Sequence, residues 1–322
     1  MCVIAAKYFP NKGWVGVKNR DRTYYPSINI RKSMKDGIER LYIWDENTRY
    51  TEGLNEHGIC ILNASYSRPN AIKEGKDEES SISAEGEDPN YFSKDGRVIR
   101  NALLAKTPED AVKELIRRRL TGCCLVFNKD TCYVLEADEI NGEYRYNSEK
   151  VDPKNHIVRT NHGILLPEAG FQRNSSDENL KFKRVSSELR KYITEKLLDH
   201  AEHPEDMINH LLYHRGRNKQ LNVCRLDFEK GKVRTTGQLM LVPSQNALYY
   251  RPIWSGITFD YDKLNKDEDK CFFIIRSCAH WCILFGVLSS GRHEGCPRSL
   301  TLSAHHNRCN PESPENHSNN GH

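Results

Sequence analysis

Five short β-rich runs, each followed by turn-forming or polar residues, fill the first 66 residues, and they restrict the chain to an antiparallel sheet. They read CVIAAKYF, WVGVKN, RLYIWDE, TRYTEGLNE and GICILNASY, with PNKG between the first two and Asn, Glu and Gly between the later ones. Pro, Gly and Asn punctuate backbone runs because they favour turn geometry over strand. Short strands joined by tight turns pair head to tail, which indicates an antiparallel sheet.

Two further runs, GCCLVFN and TCYVLEA, predict a hairpin around Lys129 and Asp130, and YRYNS and HIVRTNH extend the sheet material. TPEDAVKELIRRRL predicts a helix: Thr107 can cap it, Pro108 suits its first position, and Glu109 and Asp110 suit the positive end of its dipole. A long helix is expected within 177–200 and a shorter one from Pro204. NVCRLDF, VRTTGQLMLV and ALYYRPI then predict three more strands. Strands, helix, strands, helices, strands is the order of an α+β protein with layered sheets. Neither GxGxxG nor a Walker pattern is present, and there is no internal repeat.

The stretch at about 67–99, containing KEGKDEESSISAEGEDPN, reads as a polar mobile insertion within a domain spanning 1–262. Residues 263–322 read as a poorly ordered C-terminal extension. CAHWC, HEGC and HHNRC in this tail mix zinc-type ligands, but without regular paired spacing, so no metal site is expected.

The chain is 37% hydrophobic and 29% charged, with a formal charge of +4, which fits a soluble globular protein. So weak a basic balance argues against a dedicated nucleic-acid binder. There is no run of 18 or more apolar residues, hence no membrane span, and no signal-peptide pattern, so a cytoplasmic location is expected. Cys60, Cys123, Cys124, Cys132 and Cys224 lie in apolar runs and read as buried thiols.

Cys2 is different. A cysteine is small enough for Met1 to be trimmed, and Cys2 would then carry a thiol and a free α-amino group. These titrate at roughly 8.5 and 7.7–8.0, so one residue would hold a nucleophile and its base. By position alone Cys2 could equally be a small hydrophobe at a strand edge. Polar residues recur in and beside strands, where Asp and Asn have poor propensity: KNRD at 18–21, Asn63 at the end of EGLNEHGICILN, Asn161 in RTNHG and Arg225 in NVCRLDF. Singly, Asn63 and Asn161 read as turn formers, Arg225 as a snorkelling edge residue and Asp21 as a cap. Together they match the needs of thiolate attack on an amide. Asn side chains can stabilise an oxyanion, an Asp can hold an amine, and a nearby cation favours the thiolate.

In this order the residues resemble the linear-amide C–N hydrolases of the N-terminal nucleophile superfamily. That group includes choloylglycine hydrolases, penicillin V acylases, and the related acid ceramidases and β-lactam acyltransferases. Cys2 stands at the nucleophile position, KNRD at an Arg-Asn-x-Asp motif, and GLNEHGICILN at a Gly-(Met/Leu)-Asn-Glu-x-Gly strand pair ending in Asn63. RTNHG supplies Asn161 and NVCRLDF supplies Arg225. The likeness spans about residues 2–255. One departure is Lys18, where the family has Arg, which keeps the charge but loses the planar fork.

The resemblance implies a four-layer αββα sandwich of mainly antiparallel sheets. It implies a hydrolase of linear, non-peptide amides acting on a small N-acyl substrate through a thioester, with no metal or organic cofactor. Cys2 would attack, Asn161 and Asn63 would hold the oxyanion, Asp21 would orient the amine or meet the leaving group, and Lys18 and Arg225 would set the electrostatics. Copies of the chain would be able to assemble as a homo-oligomer. An acyltransferase would use the same site. The opening also resembles the Asn-Arg-Asp-Glu proteins, with Arg22 where those have Glu, which leaves open an impaired catalyst with a binding role.

Overall fold

Period-two alternation in the first strand, β1 (Val3–Phe9), decides the layering of the molecule. Ile4 and Ala6 enter one apolar cluster, and Val3 and Ala5 enter another on the opposite side. Both faces of this sheet are therefore covered. The computed structural model describes residues 2–66, 93–171, 176–213, 221–226 and 232–253, together with short strands at 257–258, 275–277 and 281–282.

β1 pairs antiparallel with β2 (Gly13–Arg22) on one side and β10 (Ile157–Arg159) on the other, in a five-stranded sheet completed by β11 (Arg234–Val242) and β12 (Ala247–Pro252). A seven-stranded antiparallel sheet runs β3 (Ile28–Lys35), β4 (Ile38–Asp45), β5 (Thr51–Asn55), β6 (Cys60–Ala64), β7 (Gly122–Phe127), β8 (Cys132–Ile140) and β9 (Glu143–Lys150) in sequence order.

Ile4, Ala6 and Trp14 of the first sheet pack on Leu62, Phe127 and Val134 of the second. The outer face of the seven-stranded sheet (Ile61, Cys124, Val126, Leu135) is covered by α1 (Ser93–Ala102) and α2 (Pro108–Arg117). The outer face of the other sheet (Val3, Val15, Val17, Met240) is covered by α3 (Glu178–Asp199) and α4 (Pro204–Tyr213). This is the αββα sandwich expected. Among the described residues no helix is long and apolar enough to cross a membrane.

Local signals account for several boundaries. The Thr107 hydroxyl accepts the Asp110 N–H at 3.1 Å, so α2 starts where its cap predicts. Gly16 lies where the sheets press together: a Cβ there would sit 2.3 Å from Cζ of Phe127 and 2.9 Å from a Leu62 methyl. Gly16→Ala is expected to destabilise the fold by about 1–3 kcal/mol through overpacking, and urea unfolding of the variant checks this.

Two expectations need correction. Residues 93–99, read as the end of the polar insertion, form most of α1, because Val98, Ile99 and Ala102 fill the space above the seven-stranded sheet. Residues 67–92 lie outside the described residues, as does nearly all of the 263–322 extension. NVCRLDF is not a strand over 222–226: the Val223 carbonyl accepts from Asn19 Nδ2 at 3.1 Å and Arg190 Nη2 at 2.8 Å, which takes it away from a ladder. The N-terminal half of α3 is reversed in polarity, with Arg184, Ser186, Ser187 and Arg190 buried while Phe182 and Val185 face outward. Its buried residues serve the region around Asp21, Asn161 and Arg225.

Candidate active site

Strand β2 builds the site by alternation. Lys18, Arg20 and Arg22 point between the two sheets, as Trp14 does, whereas Asn19 and Asp21 point toward α3. Cys2, one residue before β1, lies in the inter-sheet cluster with Ile4 and Ala6. Three cations thus share one buried face with the thiol.

The β5–β6 ladder supplies their counter-charges. Gly53 pairs with Ile61 and Leu54 with Cys60, and the Asn55 N–H closes the turn on the Ile59 carbonyl at 3.1 Å. Beyond these pairs, Glu52 Oε1 takes the Asn63 N–H at 2.7 Å, and Lys18 Nζ donates to Glu52 Oε1 and to the Asn63 carbonyl, both at 2.6 Å. Tyr50 donates to the same carbonyl at 3.0 Å, with its ring 5.0 Å from Lys18 Nζ. Arg20 pairs with Asp45 at 3.3 Å and lies 3.8 Å from Glu52. Burial pulls the Lys18 pKa down against the opposing pull of Glu52 and Cys2, and Arg22 and Arg20 lower it further.

Arg22 is the cation in direct contact with sulfur. Its Nη1 donates to Cys2 Sγ at 3.5 Å and to the Asp21 carbonyl at 2.8 Å. Burial alone would raise the Cys2 thiol, but Lys18, Arg22 and the amino terminus together bring it down to about 7. Cys60, Cys123, Cys124 and Cys132, buried in apolar strands, are all pushed up instead.

The other expected residues are distributed as follows. Extending the β1–β10 register of Ile4 with Arg159 by two residues sets Asn161 across from Cys2, on the same face. Its Nδ2 donates to the Ser65 carbonyl at 2.5 Å. The Asn63 side chain, by contrast, is not brought to Cys2. Its neighbours Leu62 and Ala64 face the inter-sheet core, while Ile61 and the cross-strand partner Cys124 face the helices. Asn63 belongs to that second set, with Oδ1 lying against Gly122, so only its backbone meets the Lys18–Glu52 pair.

Asp21 and Arg225 meet on the far side of the five-stranded sheet. Asp21 Oδ2 is 2.8 Å from Arg190 Nη2 and 3.9 Å from Arg225 Nη1, and Thr235 donates to Oδ1 at 2.8 Å. Burial and the neighbouring Arg190 bring Arg225 down to about 9, against the pull of Asp21 and Cys2. Sequence reasoning did not single out Arg22, Glu52, Asp45, Tyr50 or Arg190 as parts of this site. The period-two run of Lys18, Arg20 and Arg22 in a strand was the signal available for the first.

A polar cluster fixes the segment carrying Asn161. The Ser187 hydroxyl accepts the Asn161 N–H at 3.2 Å and lies 2.8 Å from both His162 Nδ1 and Thr160 Oγ1. Burial, with Arg184 nearby, brings His162 down to about 3. The folded state therefore keeps this imidazole neutral while an unfolded chain protonates it near 6.5. Between these values the unfolded state binds the extra proton, so stability falls as pH drops, by up to about 1.4 kcal/mol per pH unit. His162→Asn is expected to flatten that part of the stability profile. Equal slopes for variant and parent in urea titrations from pH 6.5 to 4 would refute it.

No family model matches this chain, and no curated protein does. Among solved structures, penicillin V acylase from Agrobacterium tumefaciens is similar, with a TM-score of 0.44 and 12% identity over 78% of this chain and 83% of that one.

Proposed function

We propose that this protein is a cysteine amide hydrolase that cleaves a linear, non-peptide C–N bond of a small N-acyl substrate through a thioester on Cys2. The observation that carries this reading is the environment of Cys2. It is a buried thiol immediately before β1, an interior strand of the five-stranded sheet in a four-layer sandwich, beside Arg22 and Lys18, and its pKa runs opposite to that of the buried strand cysteines.

In this reading Met1 is removed and the Cys2 α-amino group is the base. The thiolate adds to the acyl carbonyl, whose π pair moves to oxygen. Asn161 turns its Nδ2 from the Ser65 carbonyl to that oxyanion. The α-ammonium gives its proton to the leaving nitrogen as the C–N bond breaks. The freed amine then takes a proton from water, hydroxide adds to the thioester, and the carboxylic acid leaves as the C–S bond breaks. Asp21, clamped by Arg190 and Arg225, keeps the end of β2 and the amine in place. An amine acceptor in place of water makes the same site an acyltransferase.

One observation favours a second reading, a fold that binds without turnover: the Asn63 N–H is held by Glu52, and one of the two N–H groups of Asn161 Nδ2 is held by the Ser65 carbonyl. A single experiment separates the two. The purified protein's N-terminus is read by intact mass, and the protein is incubated with a panel of N-acyl amides and quenched in acid. Amine release with an acyl adduct on an N-terminal Cys2 supports the hydrolase. A retained Met1, or ligand binding without adduct or product, supports the second reading.

A further inference from the structure

Lys18 is the cation that the residue pattern offers to the thiol, yet two of its three N–H donors are spent on Glu52 and the Asn63 carbonyl, both at 2.6 Å. Arg22, two residues further along the same face of β2, is the one whose Nη1 reaches Sγ, at 3.5 Å. We propose that Arg22 is a catalytic residue of this site, holding the Cys2 thiolate in the resting state and following the negative charge onto the carbonyl oxygen when sulfur attacks. This inference rests on the hydrolase reading for its second half only. The first half concerns the thiol itself.

Three lines of geometry support it. The first is charge: Lys18, Arg20 and Arg22 face Glu52 and Asp45, so three cations meet two carboxylates, and a Cys2 thiolate is the third anion. Attack conserves that sum, because the electron pair leaving sulfur for the new C–S bond reappears as the π pair on oxygen. The second is anchoring. Arg22 is fixed by the Asp21 carbonyl at 2.8 Å and by the Tyr50 ring, 5.5 Å from its guanidinium carbon. A guanidinium so held costs little reorganisation when the charge moves by one bond. The third is proximity: the Asn63 N–H lies on Glu52 and one N–H of Asn161 Nδ2 lies on the Ser65 carbonyl, whereas Arg22 already touches the reacting atom. Burial acts against the Arg22 charge, but Cys2, Tyr24, Tyr50 and Asp45 keep it firmly protonated.

Two reagents separate the two halves. Iodoacetamide alkylates a thiolate by displacement and forms no oxyanion, whereas p-nitrophenyl acetate acylates it through one. Both reactions are followed at the Cys2-containing peptide by mass spectrometry, with Cys2→Ser as blank, for the parent, Arg22→Gln and Arg22→Lys, all checked for folding by circular dichroism. The expected result is an alkylation profile shifted up by at least about one pH unit in Arg22→Gln, roughly tenfold slower at pH 6, with partial rescue in Arg22→Lys. At pH 10, where the thiolate is formed in each protein, alkylation rates converge while acylation of Arg22→Gln stays about tenfold or more behind. An unshifted alkylation profile overturns the thiolate role. Convergence of both rates at pH 10 overturns the oxyanion role. Neither measurement needs amide turnover, so a protein that hydrolyses no amide can still pass or fail it.

Discussion

Cys2→Ala removes acyl-adduct formation altogether and lowers amide turnover by roughly ten-thousand-fold or more, the scale expected when a covalent nucleophile is deleted. The fold survives the change, since only a small buried side chain is lost. Its stability nevertheless acquires a different pH dependence. The thiol titrates at about 7 in the folded protein against an ordinary 9.0. A group whose folded pKa is depressed contributes stability that is complete above the unfolded value and lost as pH falls through the folded one. The parent therefore gains on Cys2→Ala as pH rises from 7 to 9, and the difference between them is constant below pH 7. Burst acylation and urea unfolding across this range read both effects. A Cys2→Ala protein that still forms an adduct elsewhere and turns over amides at the parent rate would remove the proposed mechanism.

The second large effect is at Glu52. This carboxylate accepts from Lys18 and the Asn63 N–H, lies 3.8 Å from Arg20, and has no solvent exposure. Glu52→Ala takes the carboxylate from a buried ammonium and the acceptor from a buried N–H, and is expected to cost about 3–5 kcal/mol. Deprotonation of Lys18 caps the loss, because burial already pulls its pKa down. Lys18→Met with Glu52→Leu removes both charges at similar volume and recovers the part of the loss due to the unpaired charge, leaving about 1–3 kcal/mol for the Asn63 N–H, which still lacks its acceptor. Thermal and urea unfolding of the single and double variants check this. A double variant no more stable than Glu52→Ala would show that the pair does more than compensate its own burial.

Most strands and helices were legible because their signals are local. Alternation set the faces of β1, and Thr107 with Pro108 set the start of α2. The failures were non-local. The segment 222–226 has a strand's composition, but Asn19 and Arg190, from β2 and α3, claim its Val223 carbonyl. The N-terminal half of α3 buries arginine and serine because Asp21, Arg225 and the Asn161 segment present polar groups to it. No property of α3's own residues announces that reversal.

The site divides the same way. Cys2, Lys18 and Asn161 gather on one face, Asp21 and Arg225 meet on the other, and Asn63 offers only its backbone. The antiparallel layering, and the alternation that sends Lys18 and Asp21 to opposite sides of one strand, follow from the residue order alone, because side-chain direction along a strand is a matter of parity. Which cation reaches the sulfur is set by the packing of the two sheets. That choice depends on Glu52 and the Asn63 carbonyl, brought in from β5 and β6, occupying Lys18 and leaving Arg22 at 3.5 Å from the thiol.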